Sequence, residues 1–183
     1  MRKITASLMT AAVLLSGAAF AQDNPRVGGA PMYAEKNIVE NAVNSKDHTT
    51  LVAAVKAAGL VDTLSGKGPF TVFAPTNAAF EMLPAGTVDT LLKPENKDKL
   101  TKVLTCHVVA ADAMSSAIGK MIADDGGSHD VKTVGGCVLK AKMDGKKITL
   151  TDENGRVAVV TIADVKQSNG VIHVIDHVLL PKM

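Results

Sequence analysis

Three side chains near the C-terminus, His173, Asp176 and His177, are the first place to look for chemistry. Imidazole and carboxylate groups together can hold a metal ion or move a proton. A metal site, however, needs at least three ligands converging on one point. The stretch from Val171 to Leu180 reads as a strand, in which positions 173 and 177 face one side and 176 the other. Only a bend near Asp176 would bring the three together, so structural roles are expected and no metal or cofactor is assigned. His107 could serve as an acid or base. No serine or carboxylate stands beside it in a recognisable catalytic order, and neither G-x-S-x-G nor H-E-x-x-H occurs. Packing is the expectation there too.

Cys106 and Cys137 are too far apart for a C-x-x-C redox motif. They either pair or stand as two separate buried thiols, which behave as small hydrophobes. Paired, they would close a loop of about 30 residues, worth roughly 3 to 4 kcal/mol in a chain-entropy treatment. Thr76 and Asn77 follow Pro75 at a strand-to-helix junction, where capping and backbone satisfaction are the expected roles. Asp124 and Asp125 precede two glycines but lack the ligand spacing of a calcium loop, so a solvent-exposed turn is expected. Lys93 to Lys102 mixes both charge signs and reads as a solvated helix face.

The elements that must position these residues come in two styles. In the first half, Ile38, Val39, Ala42 and Val43 give a short helical face, and Leu51, Val52, Val55 and Ala58 recur at helical spacing between a cap at Asp47 and a stop at Gly59. Phe70 to Phe73 is a strand candidate broken by Ala74-Pro75-Thr76. Thr76 then caps a helix bearing Ala79, Phe80 and Leu83, and Thr87 caps a further turn. A longer helix starts near Pro94, with Leu100, Val103 and Leu104 on its apolar face. The second half shifts to strands: Cys106 to Ala110, Val131 to Val134, Cys137 to Met143, Ile148 to Thr151, Val157 to Ile162 and Val171 to Leu180. A small-residue segment around Met114, Ile118 and Met121 lies among them, and Asp144-Gly145 and Asn154-Gly155 are hairpin signals. Helices first, then mostly antiparallel strands, predict an α+β domain with one core.

The chain starts with Met1-Arg2-Lys3, an apolar stretch from Ile4 to Leu15, and Ser16-Gly17-Ala18-Ala19-Phe20-Ala21. These are the parts of a cleaved export signal, residues 1–21, with the cut expected after Ala21. The apolar stretch falls short of the roughly 20 residues a membrane span needs, no cysteine near the cut could carry a lipid anchor, and no later run is long enough to span. The expected location is the periplasm or the exterior. Residues 22–33, polar and rich in Gly and Pro, read as a flexible leader, leaving a single domain over 34–183. Arg2 and Lys3 leave with the signal, so 20 basic residues become 18, matching the 18 acidic ones. A nucleic-acid partner is therefore not expected. After the cut only Tyr33, Phe70, Phe73 and Phe80 remain as aromatics, too few for a stacked sugar platform.

Two blocks are specific: Gly68-Pro69-Phe70-Thr71-Val72-Phe73-Ala74-Pro75-Thr76-Asn77-Ala78-Ala79-Phe80, and Asn169-Gly170-Val171-Ile172-His173-Val174-Ile175-Asp176-His177-Val178-Leu179-Leu180-Pro181. With Leu104-Thr105-Cys106-His107-Val108-Val109 between them, they closely resemble the fasciclin (FAS1) domain family. The resemblance covers roughly residues 34 to 183 and one complete copy. It implies a twisted β wedge with a helical portion built from the first half, and a role in extracellular adhesion or matrix association rather than catalysis. It also implies that His173 and Asp176 hold their block by hydrogen bonds. The family's middle block commonly carries Tyr-His; here the pair is Cys106-His107, and a covalent tie to Cys137 in place of aromatic packing is the corresponding expectation.

The function expected is an exported, monomeric binding module that attaches to a cell-surface, matrix or envelope protein or glycan. Peripheral membrane association is not indicated. The alternative is a periplasmic envelope or stress protein with a structural or small apolar ligand-binding role.

Overall fold

The computed structural model describes residues 24–182. The export segment and its cut after Ala21 lie outside them. Arg26–Val27 (β1) and Ala30–Pro31 (β2) pair as a small hairpin. Helices Ile38–Ala42 (α1), Thr49–Ala58 (α2) and Val61–Ser65 (α3) follow, with a 3-10 turn at Lys46–His48 before α2. Then come strand Phe70–Pro75 (β3) and helices Asn77–Glu81 (α4), Thr87–Leu91 (α5) and Lys97–Thr105 (α6). Strand Val108–Val109 (β4) and helix Ser115–Asp124 (α7) lead into five strands: His129–Lys132 (β5), Val138–Asp144 (β6), Lys147–Thr151 (β7), Val157–Gln167 (β8) and Gly170–Ile175 (β9).

The architecture is α+β. Seven strands form one sheet in the order β4-β3-β9-β8-β7-β6-β5. Every pairing is antiparallel except β3 with β9, which run parallel from Phe70↔Gly170 to Pro75↔Ile175. That pair is what the two sequence blocks build, and it explains why both are continuous apolar runs: each strand is covered on both faces. Successive side chains point to opposite faces. Val72, Ala74, Ile172 and Val174 therefore enter a cluster shared with the helices, while Phe73 and Ile175 enter a second cluster with Leu139, Leu150, Val160, Ile118 and Ile122. The described residues thus have two apolar clusters divided by β3 and β9, rather than the single core expected.

At Gly170 φ is 155°, and a Cβ there would collide with the Phe70 carbonyl across the parallel ladder. Only glycine lets the strands approach this closely.

Other differences have local causes. The described part of the 22–33 segment is not a loose leader: Val27 and Met32 are buried in the helical cluster, and the Lys46 amide donates to the Gly28 carbonyl (3.2 Å). Composition hid two apolar anchors among turn formers. Cys106 is the C-cap of α6 rather than the start of a strand, and β4 keeps only Val108–Val109. The segment around Ile118 is a ten-residue helix whose Ile118 and Ile122 recur at helical spacing. The last strand ends at Ile175, five residues early, because Asp176 turns its carboxylate back onto the Val159 amide (2.7 Å). Neither Asp47 nor Thr87 caps: Asp47 sits inside the 3-10 turn and Gly86 occupies the N-cap of α5.

Candidate functional site

His173 projects from β9 into the second cluster, fully buried and stacked on Phe73 (ring centroids 5.7 Å, interplanar angle 25°). Its Nδ1 accepts the Asp164 amide (3.2 Å), so Nε2 carries the proton and donates to the Ala113 carbonyl (2.8 Å). Burial pushes its pKa below the ordinary value, keeping the ring neutral. Asp164 sits where β8 shifts register, at φ 59°, and its carboxylate accepts both the amide (2.6 Å) and the hydroxyl of Ser115 at the start of α7. Serine, aspartate and histidine are therefore neighbours. The wiring excludes nucleophilic catalysis: the serine hydroxyl donates to the carboxylate, and both histidine nitrogens are occupied by backbone.

Asp176 accepts the Val159 amide and a bond from Nδ1 of the adjacent His177 (2.8 Å). His173 is turned away from this pair, toward Ala113 and Asp164. Among the described residues no three His, Cys, Asp or Glu side chains are grouped to hold a metal ion.

His107 is the second brace. It follows α6, fully buried, with Nδ1 donating to the Val103 carbonyl (2.8 Å) and Nε2 accepting the Leu179 amide (2.9 Å). Burial pushes its pKa down to about 4. Beside it, Cys106 and Cys137 form a disulfide with Cα atoms 5.4 Å apart. Both are buried, so the bond pins the end of α6 to the turn before β6.

Thr76 caps α4, its hydroxyl accepting the Ala79 amide (3.3 Å). Asn77 does more. Its Oδ1 accepts the Thr50 amide (3.0 Å) and the Thr49 hydroxyl (3.2 Å), while Nδ2 donates to the Lys46 carbonyl (2.9 Å). The start of α2, which has no cap of its own, is thus capped from another helix.

Several bracing residues escaped sequence reasoning. Asn169 bonds the Ile38 amide (3.0 Å) and the Leu64 and Gly66 carbonyls (2.7 and 2.9 Å). Fully buried Asn41 bonds both backbone groups of Tyr33 and the side chain of Gln167. His48 is buried against Ser45 (2.8 Å). Asp152 accepts the amides of Asn154 and Arg156 (2.8 and 2.9 Å), for which the sequence offers a local signal, since Asp-x-Asn-Gly favours a side-chain-closed turn. Asn169 and the bond from Asn41 to Gln167 depend on partners far away in sequence.

A concave feature walled by apolar side chains lies under α1, where Ile38, Leu51, Val55, Leu64, Val72 and Leu104 line a cavity of about 40 Å³. His107 reaches its wall with both nitrogens already engaged. The cavity can hold an apolar group, and Lys56 and His107 are the two ionisable side chains in its lining.

Residues 46–181 match the fasciclin domain family. This chain is a fasciclin domain. It is 53% identical over 146 residues to protein sll1483 of Synechocystis, covering 80% of this chain and 74% of that protein. It is 35% identical over 170 residues to the cell surface glycolipoprotein MPB83 of Mycobacterium bovis, covering 90% and 70%. The FAS1 domain pair of the insect cell adhesion molecule Fasciclin I has the same fold, with a TM-score of 0.69 at 18% identity over 79% of this chain and 51% of that one. Fasciclin domains are adhesion modules rather than enzymes.

Proposed function

We propose that this fasciclin domain is an exported binding module that attaches to a cell-surface, matrix or envelope protein or glycan. One observation carries the reading: the polar residues of the family blocks are spent inside the fold. His107, His173, Asp176, Thr76 and Asn77 each bond backbone of another segment or cap a helix. Recognition then belongs to the outer surface that these braces hold in shape. Relatives described as a cell surface glycolipoprotein and a cell adhesion molecule support attachment as the trade. A buried disulfide supports an oxidising location outside the cytoplasm, reached through residues 1–21 as a cleaved signal. The working unit begins before residue 34, since the hairpin at Arg26–Pro31 packs into it.

The test is retention of the labelled protein, from residue 22 onward, on native cells or extracted envelope. Saturable binding displaced by unlabelled protein is expected; retention that neither saturates nor competes would defeat the proposal. The cavity under α1 favours a second reading, in which a slender apolar molecule is carried. Organic extraction of protein purified from its native host, followed by mass spectrometry, separates the two.

A further inference from the structure

The Asp176 amide still donates to the Val159 carbonyl (3.2 Å), but residues 177–182 have no regular secondary structure, so no ladder takes the amides of Leu179, Leu180 and Lys182. Side chains do it instead. The Leu179 amide donates to Nε2 of His107 (2.9 Å), the Leu180 amide to Oδ2 of Asp152 (2.9 Å), and the Lys182 amide to Oε2 of Glu153 (2.8 Å). Asn154 adds bonds from Nδ2 to the Leu180 and Pro181 carbonyls (2.9 and 3.2 Å). All three acceptors are therefore ionisable, and each loses acceptor capacity when it takes up a proton. Beneath the segment, Val178 is buried in the helical cluster and Leu179 in the other, so one short strap closes both.

We propose that residues 177–182 are an acid-released latch, which detaches as His107 and Glu153 protonate while the sheet stays paired, exposing Val178 and Leu179 as an apolar surface. Charged groups face it from each side. Asp152 favours a proton on His107, but burial outweighs it and holds that pKa at about 4. The Asn154 and Arg156 amides (2.8 and 2.9 Å) keep the other oxygen of Asp152 occupied. Glu153 is held below its ordinary value by the Lys182 and Val138 amides, then by the charges of Lys102 on α6 and Lys182 on the strap. Asp176 and His177 satisfy each other at the hinge.

The closed latch binds its protons more weakly than the open one, so falling pH favours opening. Between the ordinary histidine value of 6.5 and about 4, His107 alone weakens it by at most tenfold per pH unit, up to about 300-fold. Glu153, also held below its ordinary value, adds to this at lower pH.

Amide hydrogen exchange followed residue by residue from pH 7 to pH 3.5 tests the idea. The Leu179, Leu180 and Lys182 amides, corrected for intrinsic exchange, are expected to lose protection while those of Val72, Ile172 and Val174 keep theirs. Loss at both places together, or at neither, overturns the latch. Asp152→Asn sets an N–H donor against one of the backbone amides that the carboxylate accepts. It should lower strap protection about tenfold at pH 7 with β3 and β9 unaffected; an unchanged strap in that variant overturns the proposal as well.

Discussion

Asn77 at the first turn of α4 accepts the amide of Thr50 at the first turn of α2, so one side chain ties together two helices that start 28 residues apart. Asn77→Ala removes that cap, a second acceptor contact and the donor to Lys46. A loss of about 1 to 3 kcal/mol is expected from chemical denaturation, larger than for an ordinary half-buried position. Asn77→Asp keeps an acceptor at a helix N-terminus and should recover part of the loss. Equal costs for the two variants would show that the cap is not what stabilises the junction.

The disulfide makes a different demand on the chain. Cys106 and Cys137 are 31 residues apart, and removing the bond with Ala at both positions should cost about 3 to 4 kcal/mol through the freed unfolded chain. Non-reducing digestion and mass analysis should yield the two cysteine peptides linked. Thermal unfolding of the Ala pair unchanged from the parent would contradict the structural role.

Local patterns in the sequence made half of this legible. Gly59 reads as a helix stop and is one, at φ 73°, because a glycine after an apolar-periodic run carries its own cause. Thr76 is similarly local. The parallel pairing of β3 with β9 is not local: it joins residues a hundred positions apart, and nothing in either strand marks its partner's direction. The resemblance brought both blocks into view without saying that they touch. His173 and Asp176 were picked out by residue type, but Asp164, which fixes the His173 tautomer and caps α7, lies in a strand irregularity that alternation cannot reveal. The same holds for Asn41 and Asn169, whose partners come from across the fold.

The hairpin at residues 26–31 was hidden by composition, and its contribution can be measured directly. Met32 is 2% exposed, and Met32→Ala should destabilise by about 2 to 4 kcal/mol as a truncation inside a packed cluster. A chain starting at Ala34 should lose at least as much, since Val27 and both backbone bonds of Asn41 to Tyr33 go too. Matching urea midpoints for the shortened and full-length proteins would return the segment to the status of a loose leader.

Buried neutral histidines set the pH dependence of the whole domain. His107, His173 and His48 all have pKa values lowered by burial, His107 to about 4. Below pH 6.5 the unfolded chain therefore binds protons that the folded one refuses, and stability falls as pH drops. It is fully present above the ordinary histidine value and is lost progressively down to about pH 4. For His107 alone the loss is on the order of 3 kcal/mol, since each unit of displacement is worth about 1.4 kcal/mol. Urea unfolding between pH 7.5 and 4 should show this slope, and His107→Gln should flatten it while lowering stability at pH 7, because the amide cannot reproduce both backbone bonds in the same geometry. A slope that survives in His107→Gln undiminished would mean that His107 is not the group taking up the proton.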